Sequence, residues 1–314
     1  MVRVVKRVKE ALDIDSFELA DCSGGALPSA TPGAHLDVHL PSGLTRQYSL
    51  CDSASTPDRY RIAVLRDPTG RGGSVDMHDL VKVGDTLRIG APRNHFPLVP
   101  SASRSLLFAG GIGITPILSM AQHLTSHGQE FELHYCARSA DRMAFRDLLM
   151  TTALAHKTCL YFDDQGEDQR IDISQALALP REGVHVYVCG PRGFIDAVLQ
   201  TAQANGWPGS QLHSESFSGN PAITRGAPFE VQLARSGRVI SVSSEETVIQ
   251  ALARSGVDVP TSCEQGICGT CLLRVCAGVP DHRDMFLTPA EHLGNEWLIP
   301  CCSRSKTSTL VLDL

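Results

Sequence analysis

Three cysteines within nine residues, answered by a fourth far downstream, constrain this chain more than anything else in it. Cys263, Cys268 and Cys271 are spaced C-x4-C-x2-C, and Cys301 follows after 29 intervening residues. This is the plant-type spacing for a [2Fe–2S] cluster. Two irons bridged by sulfides need four terminal thiolates, three from one tight loop and one from a distant strand. Gly266 and Gly269 let such a loop turn tightly and aim backbone N–H groups at the sulfurs. A structural zinc site would favour short paired spacings, and one C-x2-C pair with a lone upstream Cys fits that poorly. Disulfides fit less well still: the chain has 11 Cys, and its start turns charged too quickly for a secretory leader, so a reducing cytoplasm is expected. Neighbouring strand residues point to opposite faces, so only one of Cys301 and Cys302 can be a ligand, and the spacing selects Cys301. Cys276 and Cys302 read as small packed hydrophobes.

The 314 residues suggest two or three domains, and a hydrophobic fraction of 42% suffices for real cores. No apolar run approaches the length of a transmembrane helix. A net charge of −6 argues against nucleic acid and anionic membrane as partners.

Three textures follow one another. Residues 1–100 alternate with a period of two: Val2 and Val4, then Ala34, Leu36, Val38 and Leu40, then Leu44, Arg46, Tyr48 and Leu50, then Tyr60, Ile62 and Val64, then Leu87 and Ile89. Short strands with turns at this spacing predict a small antiparallel β-barrel. Residues 101–218 alternate strands (105–109, 131–136, 160–162, 184–189) with helices (117–124, 144–154, and one running to 203). That pattern implies an α/β domain with a parallel sheet and crossover helices. Residues 219–228 have the Gly, Pro, Asn and Ser chemistry of a linker. From 229 to 314 a hairpin, a helix over 247–253 with Ser244 as its cap, and the cysteine loop form a third domain.

Several short patterns suit ligands. Arg46, Tyr48 and Ser49 put a cation, a ring and a hydroxyl on one barrel strand, fit for a phosphate and a flat heterocycle. Gly70-Arg71-Gly72-Gly73-Ser74 offers backbone N–H groups and a hydroxyl to a phosphate. An ordinary strand and a flexible loop are the competing readings. Gly110-Gly111-Ile112-Gly113-Ile114-Thr115-Pro116 follows an apolar strand and opens a helix, with Pro116 suited to its first position. Such a turn can seat a phosphate, although it is not G-x-G-x-x-G. Val186 to Pro191 is a buried strand ending in a turn that would line a crevice. Cys189 within it reads as packed. Asp163 and Asp164 end another strand and are either ribose contacts or a solvated turn. His35, His95, His134 and His282 show no ligand spacing and read as surface or satisfied groups.

Taken in order, these patterns resemble the phthalate dioxygenase reductase and vanillate O-demethylase reductase family, the reductases of two-component Rieske oxygenases. The residues that carry the resemblance are 46–49, 70–74, 109–116, Cys189-Gly190-Pro191, Glu215-Ser216-Phe217, the cysteine loop and Asp281-His282-Arg283-Asp284. The resemblance spans essentially the whole chain. It implies a flavin-binding β-barrel, an NAD-binding α/β domain and a C-terminal β-grasp ferredoxin domain. By matching position, Arg46, Tyr48 and Ser49 would contact the flavin, and Gly72, Gly73 and Ser74 would hold its phosphate. Gly111, Gly113, Ile114 and Thr115 would take the dinucleotide, Cys189 and Gly190 would lie by the nicotinamide, and Phe217 would sit by the flavin ring. The resemblance implies FMN, with FAD as the alternative, and NADH rather than NADPH, although Arg138, Ser139 and Arg142 could bind a 2′-phosphate.

NADH gives up two electrons as hydride and the cluster accepts one at a time, so the flavin must mediate. No general acid or base is expected. The expected partner is a Rieske-type oxygenase acting on an aromatic acid or aryl ether, with the chain itself a monomer. A different acceptor, or a redox-sensing role without turnover, are the alternatives. Residues 226–314 hold 7 Lys and Arg against 10 Asp and Glu, which would suit docking to a basic patch on the acceptor.

Overall fold

The computed structural model describes residues 1–52, 58–217 and 226–314. Most of the expected linker, residues 219–225, therefore lies outside the described residues. The chain divides into two compact units, residues 1–217 and 218–314.

The first unit opens with six antiparallel strands: β1 (Val2–Ala11), β2 (Ile14–Asp21), β3 (His35–His39), β4 (Thr45–Ser49), β5 (Arg59–Leu65) and β6 (Thr86–Ile89), with the short helix α1 (Gly73–Asp79) between the last two. Their order is β4-β3-β6-β1-β2-β5. The two edge strands meet through a bridge between Leu50 and Ile62, which closes the sheet into the expected barrel. Alternation drives this closure. Val2 and Val4 are buried while Arg3 and Val5 face out, and Phe17, Leu36, Val38 and Ile62 fill the interior.

Five parallel strands follow: β7 (Arg104–Gly110), β8 (Phe131–Ala137), β9 (Thr158–Phe162), β10 (Val184–Cys189) and β11 (Leu212–Glu215), interleaved with α2 (Ile114–Ser126), α3 (Arg146–Thr151), α4 (Ile173–Ala176) and α5 (Arg192–Ala204). The apolar runs on β7 and β10 are continuous because both sheet faces are covered. Leu107, Ala109, Tyr135 and Tyr187 pack toward α2. Leu106, Phe108, Val186 and Val188 pack toward α5 and Trp207. The first of these cores also takes in Ile14, Cys51, Ala63 and Phe96, so barrel and parallel sheet share apolar packing.

Helix ends differ from expectation. The third helix is shorter than 144–154, because Phe145 at φ 60 blocks helical backbone before Arg146. Pro116 is the third residue of α2 rather than the first, since a 3-10 turn over Gly111–Gly113 already starts the coil. Proline is tolerated there because the N–H groups of the first turn have no intrahelical acceptor.

The second unit holds β12 (Phe229–Leu233), β13 (Val239–Val242), α6 (Val248–Arg254), β14 (Leu273–Ala277), β15 (Pro280–Asp281), α7 (Pro289–Gly294), β16 (Trp297–Leu298), β17 (Arg304–Ser305) and β18 (Thr309–Leu312). Five of its strands form a sheet in the order β13-β12-β18-β14-β16, with β12 and β18 parallel. Val248, Ala251 and Leu252 of α6 pack on Val231, Leu298 and Leu310, which gives the expected β-grasp. The cap of α6 is Thr247, not Ser244. Its hydroxyl accepts from Gln250 N and the Gln250 side chain accepts from Thr247 N, a reciprocal box that Ser244 cannot make. Arg304 is buried and donates to the carbonyls of Ala227, Ser243 and Glu246, pinning the start of this unit.

Candidate functional site

The cysteine loop lies between α6 and β14. Cys263, Cys268, Cys271 and Cys301 are each no more than 5% exposed, in a lining that includes Leu287 and Ile299. The sulfurs gather in two pairs, Cys263 with Cys268 and Cys271 with Cys301. Hydrogen bonding to the partner sulfur, then burial, pushes the Cys263 and Cys271 thiols up. The N–H groups of Gln265 and Ile267 pull Cys263 the other way. Two thiolates for each of two irons is what a dinuclear cluster requires, whereas a single zinc takes all four around one centre. The donor set therefore fits the [2Fe–2S] group.

The loop needs its glycines. Gly266 and Gly269 have φ of 77° and 67°. A Cβ on Gly266 would overlap the Cys302 sulfur, and one on Gly269 would overlap the Phe286 ring. Cys302 is buried against this loop as expected, but Cys276 is exposed on β14 and is not a packed hydrophobe.

In the first unit, β7 is followed in space by β8 and β9 on one side and by β10 on the other. The chain thus reverses its winding between β7 and β10, and ligands of open α/β sheets bind at such a switch point. The turn Gly110–Thr115 leaves the end of β7, and Cys189, Gly190 and Pro191 leave the end of β10. The two turns touch through backbone. A Cβ on Gly113 would overlap the Cys189 carbonyl and lie 2.6 Å from Gly190 N, and one on Gly190 would lie 2.9 Å from Gly110 Cα. Gly113→Ala is accordingly expected to destabilise the chain by roughly 3 kcal/mol, read as a lower denaturation midpoint at unchanged m-value. Ile114 and Thr115 are buried, and the Thr115 hydroxyl donates to Ile112 O at 3.1 Å, so they brace the turn. Cys189 is fully buried, and that burial holds its thiol well above the usual range.

On the barrel, β4 faces the turn that starts α1. Arg46 donates to Arg71 O at 2.8 Å and covers Gly73, whose missing side chain makes room for it. Tyr48 donates to Gly73 O at 3.4 Å, and burial pushes its phenol up. Gly72, at φ 83°, precedes α1, and the Ser74 hydroxyl is held by Asp67, accepting from its N–H at 3.0 Å. Ser49 Oγ donates to Glu215 Oε2 at 3.4 Å. Burial pushes the Glu215 carboxyl up to about 8, only partly offset by that hydrogen bond. Phe217 is 37% exposed just beyond Glu215. Neither a carboxyl poised near neutrality nor its hydroxyl partner was legible as a pair, since 166 residues separate them.

The strands β8 and β9 end side by side, and Asp164 N donates to Arg138 O at 3.0 Å. Arg142 pairs with Asp13 at 3.5 Å, and Ser139 hydrogen-bonds Asp141. Among the histidines, His134 is satisfied, stacked on Phe108 and 3.1 Å from Tyr161 Oη. His35 and His282 are not satisfied as expected: His35 Nε2 and both ring nitrogens of His282 are buried without a hydrogen-bond partner.

Comparison with known proteins places a family match over each region. Residues 231–306 match the family described as "2Fe-2S iron-sulfur cluster binding domain", and residues 107–200 match "Oxidoreductase NAD-binding domain". The fold and these sites define an iron–sulfur oxidoreductase. The vanillate O-demethylase oxidoreductase of Pseudomonas sp. (strain HR199 / DSM 7063) is 50% identical over 97% of this chain and 96% of its own length. The tert-butanol monooxygenase / tert-amyl alcohol desaturase reductase subunit of Aquincola tertiaricarbonis is 38% identical over 100% of this chain and 95% of its own length. The solved structure of phthalate dioxygenase reductase, described as modular for electron transfer from pyridine nucleotides to [2Fe–2S], superposes with a TM-score of 0.77 at 38% identity, covering 100% of this chain and 97% of that one. The chain belongs to the family of vanillate O-demethylase oxidoreductases and phthalate dioxygenase reductases. Among the described residues no helix is long and apolar enough to cross a membrane.

Proposed function

We propose that this chain oxidises NADH and passes the electrons through FMN and a [2Fe–2S] cluster to a Rieske-type oxygenase that demethylates or hydroxylates an aromatic acid. The observation that carries this is the coexistence in one chain of a glycine-packed switch point and two buried thiol pairs. The first suits a dinucleotide and the second suits one-electron carriers. FMN would supply the two-electron to one-electron conversion. Arg46 and the turn at Gly72, Gly73 and Ser74 would hold its phosphate, and Tyr48 and Ser49 would contact its ring system. Gly111, Gly113, Ile114 and Thr115 with Cys189 and Gly190 would seat the nicotinamide dinucleotide, and Phe217 would cover the flavin ring. Cys263, Cys268, Cys271 and Cys301 would ligate the cluster. Residues 1–100, 101–218 and 229–314 would form the flavin, nucleotide and cluster domains, joined by 219–228. The reading includes a monomer in the cytoplasm.

NADH is favoured over NADPH by charge. Of the three polar groups beyond β8, Arg142 and Ser139 are engaged with carboxylates, and Asp163 and Asp164 adjoin Arg138. Carboxylates there repel a 2′-phosphate and suit ribose hydroxyls. The expected kcat/KM is at least about tenfold greater for NADH, or about 1.4 kcal/mol, and a greater value for NADPH would overturn this assignment. A non-aromatic acceptor is the second reading, supported by the likeness to a reductase subunit named for tert-butanol and tert-amyl alcohol. Purified protein should show flavin and iron–sulfur absorption, release FMN on denaturation, and support turnover of one oxygenase but not the other. A spectrum lacking either chromophore would sink the central proposal.

A further inference from the structure

We propose that His282, Asp284 and His292 form a binding site for a divalent transition-metal cation of the zinc class, distinct in its donors from the four cysteines. One ligand atom from each residue lies within 4.8 Å of the others. His292 Nε2 is 3.2 Å from Asp284 Oδ2, and His282 Nδ1 is 3.7 Å from Asp284 Oδ1. Donors around a tetrahedral zinc, with bonds of about 2.0–2.1 Å, stand roughly 3.3 Å apart. The His292–Asp284 spacing is close to that figure and the His282–Asp284 spacing is slightly longer.

The surroundings are those of a ligand set. The Asp284 side chain is 0% exposed. Its Oδ2 accepts from Leu287 N at 2.8 Å and its Oδ1 from Ser303 Oγ at 3.2 Å, the kind of outer hydrogen bonds that orient a coordinating carboxylate. The His282 side chain is only 7% exposed, and neither of its nitrogens makes a well-aligned hydrogen bond, although the Asn295 side chain approaches it. An unpaired polar group in that position is costly, and a cation would satisfy it. The two imidazoles stack at 4.4 Å.

Nearby cations are directed elsewhere. Arg283 pairs with Asp281 at 2.7 Å and Arg304 binds backbone carbonyls. Two imidazoles and one carboxylate select zinc-like ions over calcium or magnesium. The His292 side chain, 30% exposed, leaves a side open for a water ligand. By contrast, in a second compact donor group among the described residues, Glu132, His134 and Cys159, Glu132 is held by Arg104 at 2.7 Å and His134 by Tyr161.

The test uses the full chain with its cluster intact, confirmed by iron content and EPR. Titration with Co2+ is expected to bind one equivalent, displaced by Zn2+, with d–d absorption of a low-coordinate site. His292→Ala should weaken that binding at least about tenfold, while His123→Ala, in a histidine pair with His127 remote in sequence from the site, should leave it unchanged. Equal binding by wild type and His292→Ala, or loss in His123→Ala, would overturn the proposal. Imidazole NMR resonances of the wild type give a second readout that needs no variant. Zn2+ should shift those of both His282 and His292, and the absence of a shift at either one would be fatal.

Discussion

Cys301→Ala is expected to abolish the cluster and to cut NADH-dependent cytochrome c reduction by about a hundredfold or more, at least about 2.7 kcal/mol in barrier terms. Cys301 is 5% exposed and its sulfur is paired with that of Cys271. Removing it would leave one iron with a single one of the proposed thiolates. The neighbouring Cys302 is also buried and its sulfur reaches that of Cys301, but it is held by Ile299 O at 3.6 Å and Ser303 Oγ at 3.8 Å and fills the space above Gly266. Cys302→Ala should therefore keep its iron and lose only a little stability. The contrast has a built-in control. On the proposed assignment, bleaching of the flavin by NADH under anaerobic conditions would need only residues 1–217, so it should survive in both variants. If Cys301→Ala retained the iron–sulfur spectrum and Cys302→Ala lost it, the ligand assignment would be reversed.

That control also shows which parts of the molecule were legible in the sequence. Local spacing carries a cysteine loop, because three ligands within nine residues must share one turn, and it carries the barrel, because each strand alternates by itself. The parallel sheet was legible for the same reason: Val186–Cys189 of β10 is an apolar run that ends in turn residues. What spacing could not carry were encounters between distant segments. Glu215 and Ser49 meet only because β11 and β4 are brought together by packing shared between barrel and parallel sheet. Asp284 was visible as part of a tetrapeptide, but its company of His282, His292 and Ser303 depends on how the segment after β15 folds back. The cap of α6 was misplaced for a smaller reason. Ser244 and Thr247 are both capping residues, and only the reciprocal bond to Gln250 decides between them. Cys276 read as packed because cysteine usually is, yet its strand lies with that face to solvent.

Glu215 carries the second large expectation, a loss of stability as pH rises. Its carboxyl is held near 8 in the folded chain against an ordinary 4.5, chiefly by burial. Between those values the folded state keeps a proton that the unfolded state has released, so each unit of rising pH costs stability, about 1.4 kcal/mol. The contribution is complete below about pH 4.5 and is lost as pH passes through 8, about 4–5 kcal/mol across the window. Glu215→Gln keeps an acceptor for Ser49 Oγ but cannot ionise, so its melting temperature should fall less between pH 5 and 8 than that of the wild type. Ser49→Ala removes the hydrogen bond that favours the charged carboxylate, and so should move the window to still higher pH. Identical pH slopes for wild type and Glu215→Gln would show that the carboxyl is already ionised at neutral pH. With the predicted slope, Glu215 enters the physiological range as a protonated acid within 3.4 Å of Ser49, on the strand that also carries Arg46 and Tyr48. A proton held there leaves the site without a fixed negative charge beside the residues proposed to bind an anionic cofactor, and ionising it above pH 8 should weaken flavin retention in the wild type but not in Glu215→Gln.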